Sequence, residues 1–188
     1  MMKQQKHNEM GFTLVELIVT MAIAAIILTQ AVPSFSTMIS NNRLTTQTND
    51  LVADINLARS EAIKRGLRVI LCRTANPNAV AATCGGTANT WSTGWLLYAD
   101  DDGSGVFESA NDTLIRIGHP AQSTITVMTN ATSNNNLEYN PDGTTNEGGN
   151  TAIFAICDDR GTANGLQINV NGMGRPRLIS APLGTCTP

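Results

Sequence analysis

Two arginines separated by one proline lie near the C-terminus, in the stretch GMGRPRL from Gly172 to Leu178. In an extended segment Arg175 and Arg177 point to the same side, roughly 6.5 Å apart, and Pro176 favours an edge strand or a loop because it has no N–H donor. A planar guanidinium donates two hydrogen bonds to a phosphate and keeps its charge. The spacing therefore suits two contacts to one phosphate backbone, and it equally suits a solvated edge strand with two ordinary arginines.

The charge around these arginines differs from that of the rest of the chain. The 188 residues carry a formal net charge of -3, which argues against binding of nucleic acid over the whole surface. From Arg160 to the last residue there is no Asp or Glu, so the tail carries three positive charges from Arg160, Arg175 and Arg177. We expect any site for a polyanion to be local and C-terminal.

A single glutamate interrupts an apolar run near the N-terminus. The 21 residues from Phe12 to Val32 contain one ionisable side chain, Glu16. A helix of that length spans about 32 Å, which matches the hydrocarbon core of a bilayer, and a carboxylate within that core costs roughly 2.5 to 3.5 kcal/mol. Glu16 therefore requires a charged partner or a function.

Other candidate chemistry is weaker. The acidic stretch DDDGSGVFESAND places Asp100, Asp102, Ser104 and Glu108 at positions one, three, five and nine of a calcium loop. Position twelve is Asn111, which lacks the bidentate carboxylate of an EF-hand, so a solvated hairpin is favoured and no metal site or other cofactor is predicted.

His119 is the one histidine after the apolar run, and it precedes a proline at a turn. With no nucleophile or phosphate-loop motif, the sequence predicts a protein that is not an enzyme.

Four cysteines, Cys72, Cys84, Cys157 and Cys186, all follow the apolar run. Their even number and the absence of a close CxxC pair favour two disulfides in an oxidising compartment over a zinc site. Three pairings are possible from the sequence. We favour Cys72 with Cys84, which closes a short loop, and Cys157 with Cys186, which would fasten the C-terminal tail to a strand.

One long helix is predicted to precede the cysteines. Lys3 and Lys6 before the apolar run place the N-terminus in the cytoplasm and the C-terminal part across the membrane. After Pro33 no further proline or glycine occurs before Gly66, so we expect the helix to continue to Arg65. An apolar stripe with steps of three and four predicts the buried face of this second half: Leu44, Thr48, Leu51, Ile55, Ala58 and Ala62.

Beyond Gly66 the pattern changes to short strands separated by Gly, Asn, Asp and Pro. One long helix followed by many strands predicts an α+β domain with an antiparallel sheet packed on the second half of the helix. The eight predicted strands are LRVILCR, TGWLLYAD, TLIRIGH, STITVMTN, NNLEYN, TAIFAICD, LQINVN and RPRLIS.

The N-terminal residues resemble the class III signal of type IV pilins and type II secretion pseudopilins. A short basic leader ends in Gly11, Phe12 follows, a glutamate stands at the fifth place after the glycine, and Pro33 stands at the twenty-second. The resemblance implies that a prepilin peptidase cleaves between Gly11 and Phe12 and methylates the new amine of Phe12. In a filament, Glu16 of one subunit would then lie beside the Phe12 amine of another, an ion pair that offsets the burial cost of both charges.

The mature chain is similar to the GspH/FimT family of minor pilins and minor pseudopilins. The similarity rests on the stretches NDLVADINLARSEAIKRGLRVILC, GWLLYADDDGSG, GTTNEGGNTAIFAICDDRG and GRPR. In FimT-like pilins a GRxR pattern is associated with DNA binding during natural transformation, and Gly174, Arg175 and Arg177 match it. The resemblance thus implies a site for double-stranded DNA, independent of sequence, at these residues, with Arg160 as a further candidate.

The expected organisation is that of the type IV pilin fold. Residues 1–11 form a cleaved leader, 12–33 a transmembrane and assembly helix, 34–66 its amphipathic continuation, and 67–188 a periplasmic β-rich domain. The predicted protein is an inner-membrane precursor that joins other major and minor pilins in a surface pilus, at or near its tip. The alternatives are a GspH-like pseudopilin without DNA binding and a calcium-dependent adhesin.

Overall fold

The computed structural model describes residues 11–119, 121–122, 124–130, 136–146, 151–179 and 186. The predicted leader, except for Gly11, lies outside these residues, as do parts of the loops after β4 and β5 and most of the tail after β8. The chain divides into two compact units, Met1–Ser40 and Asn41–Pro188.

Helix α1 extends over Leu14–Arg65 and passes through Pro33 without interruption. In the first unit its side chains are apolar and exposed around the whole circumference, among them Leu17, Ile23 and Ile27. A helix that is apolar on all sides needs an apolar environment. α1 is the one helix in the described part of the chain that is long and apolar enough to cross a membrane.

In the second unit α1 has one buried face. All six residues of the predicted stripe are buried, and so are Gln47 and Asp54. The helix ends where expected, because Gly66 has φ +67, a left-handed conformation that favours glycine directly after a helix.

The described residues after α1 include eight antiparallel strands, one for each predicted stretch. They form two four-stranded sheets, with orders β3-β2-β1-β5 and β4-β6-β7-β8. The α+β prediction is confirmed, although the sequence did not show that the strands divide into two sheets. Their bounds are β1 Val69–Arg73, β2 Trp95–Ala99, β3 Thr113–Gly118, β4 Ile125–Thr129, β5 Asn136–Tyr139, β6 Ala152–Asp158, β7 Leu166–Val170 and β8 Pro176–Ile179.

The main core lies where α1 and both sheets meet. Leu51 and Ile55 of the helix share one cluster with Trp91, Trp95 and Phe154. A smaller cluster on the other side of β1 and β2 includes Tyr98 and Phe107. Because both faces of these two strands are covered, every residue in them is buried, which explains their continuous apolar sequences.

Candidate functional site

The turn between β7 and β8 requires a glycine at position 174. Gly174 has φ +74, and its N–H donates to Asn171 O at 2.8 Å. A Cβ built on Gly174 would overlap the carbonyl oxygen of Gly143 and lie 2.8 Å from Cε1 of Tyr139. Any other residue would therefore strain the backbone and displace the neighbouring loop.

Hydrogen bonds from other elements hold this turn in place. The buried hydroxyl of Tyr139 in β5 donates to Gly174 O at 3.0 Å. The N–H of Thr145 donates to Gly172 O at 3.0 Å, and its hydroxyl donates to Asn171 O at 3.2 Å. The turn is consequently fixed by a neighbouring sheet and loop rather than by its own residues alone.

Arg175 and Arg177 follow the turn and are both exposed. β8 is an edge strand of the second sheet, where Pro176 pairs with Val170 and Arg177 pairs with Asn169. Among the residues that the structure describes, no ion pair involves either arginine. Two charged groups are thus presented to solvent on a fixed backbone.

Arg160 is in a different electrostatic situation. Its guanidinium donates to both carboxylate oxygens of Asp158, at 2.6 to 3.1 Å. Burial of Asp158 acts to raise its pKa, but the hydrogen bonds from Arg160 outweigh burial and hold the pKa below its usual value. The pair is locally neutral, so Arg160 adds little to the positive charge of the tail.

At the N-terminus the side chain of Thr13 caps the helix, a contact that the sequence analysis missed. The N–H of Glu16 donates to the hydroxyl of Thr13 at 3.3 Å, directly before the helix begins at Leu14. Thr-x-x-Glu is the sequence of a capping box, so the signal was available. Gly11, Phe12 and Glu16 are all exposed.

In the acidic stretch 100–112, side-chain carboxylates accept hydrogen bonds from backbone N–H groups of the same stretch. The carboxylate of Asp112 accepts N–H groups of Asp101 and Glu108 at 3.1 and 2.8 Å, and Asp102 accepts the N–H of Ser104 at 2.9 Å. Asp100 is paired with Arg68. One carboxylate oxygen from each of Asp100, Asp102 and Asp112 lies within 4.8 Å of the others, a grouping that could hold a cation. Asp100 and Asp112 are buried, so only part of this stretch is solvated, and the absence of a metal site stays a prediction.

The cysteines are paired as favoured. Cys72 is bonded to Cys84, with Cα atoms 5.6 Å apart, and Cys157 to Cys186, with Cα atoms 6.0 Å apart. The second bond fastens the tail after β8 to β6.

A buried carboxylate, also missed, connects α1 to β2. Asp54 is 1% exposed and accepts a hydrogen bond from Nε1 of Trp95 at 2.7 Å, while Arg116 lies 3.0 Å from its other oxygen. Burial raises the pKa of Asp54 above its usual value, against the lowering effect of the Trp95 hydrogen bond. This group borders a cleft that also includes Arg43 and His119. Through these contacts Asp54 fixes the helix to the sheet.

Comparisons with known proteins agree with this geometry. A family model described as type II transport protein GspH matches residues 47–174, and one described as the prokaryotic N-terminal methylation motif matches residues 7–29. No curated protein matches the chain.

Two solved structures share the fold, both crystal structures of the type IV minor pilin FimU of Pseudomonas aeruginosa PAO1. The P21 form has a TM-score of 0.58 at 18% identity and covers 80% of this chain and 99% of its own. The P65 form has a TM-score of 0.55 at 18% identity, and the match covers 77% of this chain and 100% of the FimU chain.

The predicted type IV pilin fold is confirmed, and such pilins are structural subunits. The GspH model matches more than half of the chain's residues, so the chain belongs to the GspH family of minor type IV pilins and pseudopilins.

Proposed function

We propose that this protein is a minor pilin at or near the tip of a type IV pilus, where it binds double-stranded DNA for natural transformation. The observation that carries the proposal is a pair of exposed arginines, Arg175 and Arg177, which form no ion pair with any described residue and follow the fixed glycine turn at an edge strand. Gly174 completes the site by allowing the turn.

The chemistry of this surface suits a phosphate backbone. Guanidinium groups bind phosphate oxygens through paired hydrogen bonds, and contacts of this kind carry no sequence information. Net charge is negative over the chain, so attraction to DNA must come from this local patch. We therefore assign the contact to Arg175 and Arg177, since Asp158 already neutralises Arg160.

Export and assembly follow from the N-terminal residues. In our proposal a prepilin peptidase removes residues 1–11 and methylates Phe12, residues 12–33 span the inner membrane, residues 34–66 continue the helix, and residues 67–188 lie in the periplasm until assembly. Glu16 then pairs with the Phe12 amine of a neighbouring pilin. The match to the N-terminal methylation motif and the exposed apolar helix support this order of events.

Removing two charges at the site tests the DNA contact. We expect the Arg175→Gln and Arg177→Gln double variant of the full chain, in uncharged detergent micelles, to bind a DNA duplex much more weakly than the parent at the same salt. A matched control is Lys64→Gln with Arg65→Gln, which removes the same charge from exposed helix positions whose ion pairs contribute little stability. If both double variants bind like the parent, or if both lose affinity equally, the GRxR residues are not the DNA site.

A second candidate is a pseudopilin of a type II secretion system, favoured by the description of the matching family model as a type II transport protein. Its partners would be other pseudopilins, and its arginines would have no DNA to bind. Absence of measurable DNA binding by the parent at low salt would favour this candidate.

A further inference from the structure

Most positive side chains of the predicted mature chain are already engaged. Ten Lys and Arg residues follow Gly11. Arg73 is 7% exposed and donates to the carbonyl of Thr87. Five others are in ion pairs with acidic side chains: Lys64, Arg65, Arg68, Arg116 and Arg160.

Four arginines remain, and three of them lie around one turn. In the part of the chain that the structure describes, no ion pair includes Arg43, Arg59, Arg175 or Arg177. Arg43 borders the cleft beside Asp54. Arg175 and Arg177 flank Pro176, and Arg59 reaches the same turn from α1.

The position of Arg59 is fixed by two loops. Its Nε donates to Gly143 O at 3.0 Å, and this nitrogen lies 3.3 Å from the place that a Cβ would occupy on Gly174. The guanidinium therefore adjoins the residue directly before Arg175. Arg59 is half-buried, and this hydrogen bond uses one of its five N–H donors. No hydrogen bond joins its two terminal nitrogens to the residues that the structure describes, so they can bind another ligand.

We propose that Arg59 is a third phosphate-binding group of the DNA site, an inference that rests on the DNA binding proposed above. The DNA surface then includes the helix as well as the edge strand. The Nε hydrogen bond orients the planar group in advance, so little side-chain freedom is lost when a phosphate oxygen binds. A site with three guanidinium groups around one turn would hold a duplex more firmly than two arginines alone.

A purely structural role for Arg59 makes a different prediction. If Arg59 served only to hold the Gly143 carbonyl, removing the Nε donor would loosen the turn whether or not a positive charge remained. A phosphate contact instead depends on the charge, which lysine keeps and glutamine lacks. The variants Arg59→Lys and Arg59→Gln therefore separate the two roles.

The experiment measures the affinity of the full chain in uncharged detergent micelles for a labelled duplex of mixed sequence over a range of salt concentrations. We expect Arg59→Gln to reduce the slope of log affinity against log salt by about 0.9, and Arg59→Lys to keep the parental slope. Arg43→Gln, which removes one unpaired charge from the same helix, is expected to keep it as well. Melting temperatures of all variants are measured in parallel.

Several results would overturn the assignment of Arg59. These are a parental slope for Arg59→Gln, equal losses with Arg59→Lys and Arg59→Gln, or an equal loss with Arg43→Gln. The Arg175→Gln and Arg177→Gln double variant separates this inference from the proposed function. If the double variant loses DNA binding while Arg59→Gln keeps the parental slope, only the role of Arg59 is wrong. If the double variant binds like the parent, the proposed DNA site is wrong.

Discussion

Gly174 illustrates what a single residue contributes to this surface. The sequence predicted an edge-strand or loop conformation for the Gly-Arg-Pro-Arg stretch. It could not predict why the first residue is glycine, because the groups that exclude a Cβ, Gly143 O and the ring of Tyr139, are distant in sequence. Arg160 was also a candidate, because the tail that begins with it contains no acidic residue. Its ion pair with Asp158, two residues earlier, depends on side-chain geometry that the sequence does not show.

Replacing Gly174 with Ala should destabilise the protein by more than the backbone strain alone. A left-handed conformation costs a non-glycine residue roughly 1 to 2 kcal/mol. Gly66 is a matched control, because it has φ +67 and no atom lies within 4 Å of its ideal Cβ. We expect Gly66→Ala to show the strain alone and Gly174→Ala to lose about twice as much or more, measured by chemical denaturation. Equal losses would mean that the turn has room for a side chain.

Among the elements, α1 and the strands were predicted from local patterns. The three-and-four spacing identified the buried stripe, and short apolar stretches between turn residues identified all eight strands. Which strand pairs with which depends on contacts between distant residues, so the division into two sheets was not predictable. Asp54 lies on the same helix face as Leu51 and Ala58, but an apolar stripe gives no indication that this face includes a carboxylate that accepts a hydrogen bond from Trp95.

The buried Asp54 should make stability depend on pH. Its folded-state pKa is raised by burial, so the folded protein binds the proton more tightly than the unfolded chain does. The stability that this group contributes is present below its unfolded pKa and is lost as the pH rises through its folded pKa. We expect Asp54→Asn to remove this component, so that the variant gains stability relative to the parent as the pH rises above the unfolded pKa of about 4.

Chemical denaturation of both proteins at several pH values gives this difference directly. Acidic groups with lowered pKa values, such as Asp158, act in the opposite direction, but they are present in both proteins and cancel in the comparison. Parallel pH profiles for parent and variant would show that Asp54 does not titrate differently in the folded state.

In our proposal, the two units of the molecule have different functions. The helix of the first unit supplies an exposed hydrophobic surface. Among the described residues of that unit, Glu16 has the one carboxylate. The Asn41–Pro188 unit supplies the exposed arginines. The sequence allowed both roles to be predicted through the family resemblance, whereas partners in a filament depend on surfaces that a single chain does not define.

Replacing Glu16 with Ala should affect assembly and leave insertion intact. Loss of a carboxylate from the apolar helix makes membrane insertion easier, because a charged side chain in the hydrocarbon core is costly, but it removes the proposed partner of the Phe12 amine. We expect normal amounts of the variant in the membrane fraction and reduced amounts in sheared filaments, measured by immunoblotting. Thr13→Ala, which removes the N-cap hydroxyl and keeps Glu16, is the control for local helix stability. Parental incorporation of Glu16→Ala would contradict the assembly role.

The salt dependence of DNA binding tests the central claim most directly. For the full chain in uncharged micelles, measured on two duplexes of unrelated sequence, we predict equal affinities that fall steeply with salt. Arg175 and Arg177 together should account for about 1.8 of the slope of log affinity against log salt, and the Gln double variant should lose that part with an unchanged melting temperature. A slope that stays the same in the double variant, or binding that does not respond to salt, would contradict the account.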